Sequence, residues 1–302
     1  MTVITPEQHQ QWKSDGYLLL PGFYSAAEAG EMLARARELL DEFKIEGHPL
    51  TTFKTEADGE HVGDDYFLNS GDKIRYFLEP SSLSTATAET PAKLLVPPAQ
   101  SINKIGHALA ILDPVFRRHT LESSKIKDLA MKLGEQTSPR VLQSMIICKQ
   151  PRIGAQVPCH NDSTFLYTNP PSAIGAWVAL EDCTPQNGCL SFLPGSHRLS
   201  RTSSRFVRQA KDGGVGTGFE DVPGVQPNTE KWDEMEGWRQ EPCPAGTLVL
   251  IHGSVMHKSP PNTSDKSRLI YTFHMIEGAN GVVYDDKNWL QPTPDMPFPA
   301  LF

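Results

Sequence analysis

The run Arg268-Leu269-Ile270-Tyr271-Thr272-Phe273-His274-Met275 decides the architecture. It is rich in β-branched and aromatic residues and has no internal glycine or proline, so it reads as a strand. Alternation along a strand puts Arg268, Ile270, Thr272 and His274 on one face. The runs Val141–Cys148, Ala173–Leu180, Cys189–Leu193 and Thr247–Ile251 have the same character, each bounded by Gly, Pro, Asn or Asp. Few helical patterns lie between them. The expectation is a mainly β protein with an antiparallel core and flanking helices, not a parallel βαβ sheet. A double-stranded β-helix, the jelly roll of cupin type, fits the strand count.

Upstream the periodicity is helical. Thr5-Pro6-Glu7-Gln8 and Ser25-Ala26-Ala27-Glu28 are two capping boxes. The first opens a short helix that should stop at Asp15-Gly16. The short apolar run Tyr17–Leu20 follows as a buried strand. Behind the second box, apolar residues recur at helical spacing to about Phe43. Residues 46–97 are weakly patterned, as in a lid or pocket wall. The spacing of Ile102, Ile105, Leu109 and Leu112 predicts a helix over Ser101–Leu112, and another covers Ser124–Leu133. Residues 200–243, rich in glycine and charge, read as a mobile insertion. The whole is read as one domain, 1–302. Its helical layer and lid loops span 1–139, the jelly-roll core 140–278, and a C-terminal tail 279–302.

Composition narrows the function. The 302 residues are 38% hydrophobic and 21% charged, enough for a sizeable core. Lys and Arg number 28 against 36 Asp and Glu, a net charge of −8. That balance gives no basic footprint for nucleic acid or an anionic membrane. No apolar run approaches the ~18–20 residues of a membrane helix. The termini carry no recognisable leader, peroxisomal tripeptide or prenylation box, so the expected location is cytoplasmic. The five cysteines are odd in number and form no C-x-x-C pair, which points to free thiols rather than disulfides or a four-cysteine zinc site.

The sharpest chemical feature is His160-Asn161-Asp162. In an extended segment, an imidazole and a carboxylate two residues apart converge on one point. A second imidazole would complete a two-histidine, one-carboxylate triad, the usual cage for non-haem Fe(II). His257 lies just past the Thr247–Ile251 run, and Arg268 follows eleven residues later. Two readings of Arg268 stand: an ion pair with a core-edge Asp or Glu, or a bidentate clamp on a ligand carboxylate.

The set His160-x-Asp162, His257 and Arg268 resembles the Fe(II)/2-oxoglutarate-dependent dioxygenases, and among them the phytanoyl-CoA dioxygenase (PhyH) family. Asn187-Gly188-Cys189-Leu190-Ser191-Phe192-Leu193-Pro194-Gly195-Ser196-His197 is similar to a long, specific segment of that family. Asp72–Phe77 and Ile102–Leu109 look more like one branch, the phytanoyl-CoA dioxygenase domain-containing proteins. The likeness runs from about residue 7 to about residue 278. It implies that His160, Asp162 and His257 are the catalytic iron ligands. It implies that Arg268 and Ser259 hold the distal carboxylate of the co-substrate 2-oxoglutarate. Lys104 would reach that co-substrate from the helical layer, and Trp177 and Met145 would line its pocket. The partners implied are O2 and a small-molecule substrate. The carboxylate of Asp162 favours hydroxylation over halogenation, since related halogenases replace it with a small residue.

His197 reads as a turn residue, and His252 and His274 as hydrogen-bonded strand residues. An inactive 2-oxoglutarate or metabolite binder on the same fold is the alternative reading. It would be expected to have lost a ligand, and none is missing here. A cupin-like isomerase or hydrolase with another divalent metal has no need of a dicarboxylate clamp.

Overall fold

Both capping boxes form as the side chains dictate. Thr5 and Ser25 each accept a hydrogen bond from the third helical N–H, and Gln8 and Glu28 reach back to the cap. They open helices α1 (Pro6–Asp15) and α2 (Ala26–Glu42), with strand β1 (Tyr17–Leu20) between them. Gly16 ends α1 in the left-handed region, φ 80°, where a side chain would be strained. The structure is a computed structural model that describes residues 4–52, 64–86, 90–211 and 214–302.

The chain continues through α3 (Asp65–Leu68), β2 (Ile74–Leu78), β3 (Ile102–His107), α4 (Leu109–Leu112), α5 (Pro114–His119) and α6 (Ser124–Leu133). Then come β4 (Pro139–Lys149), β5 (Val157–His160), β6 (Thr168–Asn169), β7 (Ile174–Ala179) and β8 (Leu190–Phe192). The hairpin β9 (Ser204–Lys211) and β10 (Gly214–Asp221) follows, then β11 (Arg239–Glu241), β12 (Leu248–His252), β13 (His257–Ser259), β14 (Arg268–Glu277) and β15 (Val283–Tyr284).

Two antiparallel sheets make the jelly roll. The larger has seven strands in the order β1-β12-β7-β14-β4-β3-β2, and the smaller has four, β11-β8-β13-β5. Strand β14 lies between β7 and β4 and is buried along its whole length. Its two faces do different work, as the alternation predicts. Leu269, Tyr271, Phe273 and Met275 pack toward Met32, Phe116 and Leu129 of the helical layer. Arg268, Thr272 and His274 face the other way, into a cavity between the sheets. Each large apolar side chain so buried contributes roughly 1.5–3 kcal/mol. Behind the cavity, Tyr17 and Phe192 stack with ring centroids 4.1 Å apart, tying the sheets together.

The structure corrects three expectations. Residues 102–107 of the predicted helix Ser101–Leu112 form β3, and only Leu109–Leu112 is helical. β3 is hydrogen-bonded to β2 and β4 on its two sides. Buried on both faces, such a strand loses its alternation, and an apolar spacing of three passes for a helix. The first 139 residues therefore supply three of the seven strands as well as the helical layer. The weakly patterned stretch 46–97 contains α3 and β2; residues 53–63 and 87–89 of it lie outside the described residues. Finally, 200–243 is not a loose insertion. It holds an eight-pair hairpin, β9–β10. Arg208 clamps it, donating from Nε to Trp289 O at 2.7 Å and from Nη2 to Leu68 O at 2.8 Å. Arg205 pairs with Asp285, and Lys287 Nζ reaches Glu220 at 3.1 Å.

Candidate metal centre and its cavity

β5 and β13 pair so that His160 and His257 are direct cross-strand partners, with ring centroids 4.2 Å apart. A single turn of 3-10 helix starts at Asp162, and Asn161 caps it by accepting from Thr164 N–H. That turn swings Asp162 beneath both rings. Asp162 Oδ1 lies 3.7 Å from His160 Nε2 and 3.6 Å from His257 Nε2. The three ligand atoms all lie within 4.8 Å of one another. His160 Nδ1 contacts Pro158 O at 2.8 Å and His257 Nδ1 contacts Val255 O at 3.1 Å. A carbonyl only accepts, so both protons sit on Nδ1 and both Nε2 lone pairs face the gap, the tautomer a metal ligand needs.

The electrostatics agree with that role. Burial, then the proximity of His257, pulls His160 down to about 4, so the ring is neutral at ordinary pH. Burial opposes ionisation of Asp162, but His257, His274 and His160 around it hold the carboxyl well below its usual range. Its second oxygen, Oδ2, lies 3.3 Å from His274 Nε2. Gly175 stands opposite His274 on β7, and a Cβ there would meet Asp162 Oδ2 at 3.1 Å. A side chain at 175 would therefore push on the carboxylate.

The triad opens into a cavity of about 610 Å³. The cavity brings together every residue assigned from the sequence: His160, Asp162 and His257 with Arg268, Ser259, Lys104, Trp177 and Met145. Register explains the grouping. Thr272 pairs with Met145 on one side and Trp177 on the other, and Arg268 pairs with Lys149. Arg268 is 2% exposed. No carboxylate pairs with it among the described residues; Nη2 donates to Ser259 Oγ at 3.5 Å, and Nε has no partner. Of the two readings of this arginine, the ion pair is not present. A buried guanidinium without a counter-charge is costly, and here it faces a cavity able to admit a carboxylate. Lys104 stands on β3, not in the helical layer as expected, and burial lowers it to about 7.

Sequence reasoning did not single out Lys149 and Gln143; His274, read as a core residue or a support behind the ligands, stands beside Asp162. Lys149 is 2% exposed. Its Nζ donates to Ala155 O at 2.5 Å and Pro260 O at 2.7 Å. Burial, then the Arg268 charge, brings it to about 6. Its signal was present: a lysine closing an apolar strand run, as Arg268 opens one. His197 and His252 stay outside the cavity and pack on each other, centroids 5.0 Å apart.

A family model described as Phytanoyl-CoA dioxygenase (PhyH) matches residues 12–270. The chain belongs to that family. Among PhyH relatives, phytanoyl-CoA dioxygenase domain-containing protein 1 of Rattus norvegicus is 45% identical over 306 residues, with all of both chains covered. The Danio rerio protein of that name is 41% identical, again over all of both. A phytanoyl-CoA dioxygenase of Arabidopsis thaliana is 39% identical, covering 95% of this chain and 94% of its own. Solved structures share the fold. The epimerase SnoN, in complex with Fe3+, alpha ketoglutarate and nogalamycin RO, superposes with TM-score 0.59 at 18% identity. It covers 92% of this chain and 84% of SnoN. EctD from S. alaskensis with 2-oxoglutarate and 5-hydroxyectoine gives TM-score 0.57 at 20% identity, covering 91% of this chain and 76% of EctD. Among the described residues, no helix is long and apolar enough to cross a membrane.

Proposed function

We propose that this PhyH protein is an Fe(II)/2-oxoglutarate-dependent dioxygenase that hydroxylates a C–H bond of a small organic substrate. The carrying observation is a buried Arg268 with no carboxylate partner, in the same cavity as a two-histidine, one-carboxylate triad. Two imidazoles and one carboxylate suit a divalent ion and leave positions open for other ligands. Bound Fe(II) supplies the redox chemistry by which O2 decarboxylates 2-oxoglutarate to succinate and CO2 and delivers one oxygen atom to the substrate.

The protein's own residues do the rest. His160, Asp162 and His257 would fix the ion, and His274 Nε2 stands 3.3 Å from the outer oxygen of Asp162. Arg268 with Ser259 receives the distal carboxylate in a planar, bidentate manner that lysine could not offer. Lys104 adds positive charge on the same side, and Trp177 and Met145 wall the co-substrate in. The buried floor keeps water from the reacting centre.

The test is succinate release by purified protein given Fe(II), 2-oxoglutarate and O2. Succinate that disappears on chelation and in folded His160→Ala is the expected result. Failure of 2-oxoglutarate to bind the Fe(II) protein would overturn the reading.

A further inference from the structure

The residues proposed to hold the co-substrate stand on different sheets. His160 and His257 belong to β5 and β13 of the smaller sheet, whereas Arg268 opens β14 of the larger. A diacid held at the triad by one carboxyl group and at Arg268 by the other must span the gap between the sheets. Whatever fixes that gap therefore fixes the length of diacid that fits.

Lys149 crosses that gap. It ends β4 directly opposite Arg268, so the two side chains leave the larger sheet on one face, and both line the cavity. Its Nζ donates to Ala155 O at 2.5 Å, two residues ahead of β5, and to Pro260 O at 2.7 Å, just past β13. One amine thus grips the backbone beside both histidine-bearing strands, at the end where Ser259 pairs with Val157. The crossing is tightly packed. A Cβ at Gly188 would meet Lys149 Cδ at 2.6 Å and Pro260 O at 2.7 Å. Asn262, 1% exposed, locks the flanking turns together. Its N–H donates to Gly154 O and its Nδ2 to Lys149 O, each at 2.9 Å. Like charges directly opposite each other on a sheet are destabilising. Burial and the Arg268 charge bring Lys149 to about 6, so above that pH it is largely neutral. A neutral amine has two N–H groups, and the two carbonyls take both. The lysine is a strut between the sheets, not a donor to the ligand.

We infer that Lys149 is a positioning residue that sets the spacing between the metal ligands and Arg268, and so selects the five-carbon 2-oxo diacid against a longer one. The inference rests on the function proposed above. Arg268 with Ser259 recognises a far carboxylate of any diacid, and Lys149 decides how far away that carboxylate lies. Without the amine, Ala155 O and Pro260 O lose their donor and must find water. The sheets are then free to part at this end, and a longer diacid gains room.

The test compares 2-oxoglutarate with 2-oxoadipate, one methylene longer. Their affinities for the anaerobic Fe(II) protein are measured by equilibrium dialysis, and circular dichroism reports folding. Wild type should prefer 2-oxoglutarate by at least about tenfold, the scale of one methylene in a fixed pocket. Lys149→Met, of similar length but with no donor, should weaken 2-oxoglutarate by about tenfold and leave 2-oxoadipate nearly unchanged, so that the preference collapses. Lys149→Gln keeps a donor for one carbonyl and should fall between; if Lys149→Met does not fold, Lys149→Gln decides. Lys104→Met removes a nearby amine that is no strut, and should weaken both diacids alike. No preference in wild type, or a preference kept in the folded Lys149 variants, would overturn the inference. Failure of both Lys149 variants to fold would make the lysine merely structural and overturn it too. A wild-type protein that binds neither diacid would instead overturn the proposed function.

Discussion

The two ends of the cavity are built differently. At the end proposed for the co-substrate, Arg268, Lys149 and Lys104 stand on β14, β4 and β3, each hydrogen-bonded to neighbours on both sides. At the end proposed for the substrate, Phe206 and Phe219 belong to a hairpin that joins neither sheet and is bridged to the C-terminal segment at Val207 and Asn288. The first end is buried and lined by basic side chains; the second is aromatic and partly open, with Phe219 38% exposed. The three basic side chains are thus held by strands that cannot shift without breaking the larger sheet. The aromatic wall belongs to a unit outside both sheets, whose replacement leaves them intact.

Mutations can sharpen or break that contrast. The largest effect is expected at the triad. Asp162→Ala should lower iron affinity and succinate release by well over about 100-fold, whereas His274→Ala, acting through Asp162, should cost roughly 10–100-fold. Metal titration distinguishes them, and equal losses would remove the distinction between ligand and support. Next comes Arg268→Met. Truncating one partner of a buried charge pair costs about 2–5 kcal/mol, so KM for 2-oxoglutarate should rise thirtyfold or more. Its melting temperature should hold or rise, because the free protein loses a buried cation that has no carboxylate partner. A melting point lowered by several degrees would show that Arg268 is structural.

A smaller effect concerns pH. Lys104 sits at about 7 in the empty cavity because burial disfavours its charge. A bound dicarboxylate favours the charged form and raises it again. Binding of 2-oxoglutarate above pH 7 should therefore take up a proton. Affinity should weaken as pH rises, by up to about tenfold per unit. Calorimetry in buffers of different ionisation enthalpy reads the proton, and Lys104→Met should remove it. The smallest change is expected at the hairpin. Phe219→Ala should raise substrate KM by roughly two- to tenfold, since the ring is only partly buried. Succinate release without substrate should not change, and a parallel loss there would join the two ends that the structure keeps apart.

The metal site was legible because its parts are local. His160 and Asp162 are two residues apart, and His257 and Arg268 each adjoin a strong strand run. The faces of β14 followed from alternation alone. What stayed hidden depends on pairing between distant segments. β3 is an inner strand whose burial on both faces erased its period. The hairpin was masked by glycines and charges typical of loops, and its strength comes from Arg205 and Arg208 reaching the C-terminal segment. Gln143 is one of two polar residues, with Ser144, in an otherwise apolar run. Nothing in its neighbours reveals that a register slip between β4 and β14 sets it beside His274 in the cavity.

The clasp on the hairpin sets a rule for anyone wishing to rebuild that wall of the cavity. A cassette cut at residues 203–222 would arrive without Asp285, Lys287 and the Trp289 carbonyl that fasten it. The transplant should therefore be discontinuous, with residues 285–289 travelling alongside, so that the new wall meets its own fastening rather than a stranger's.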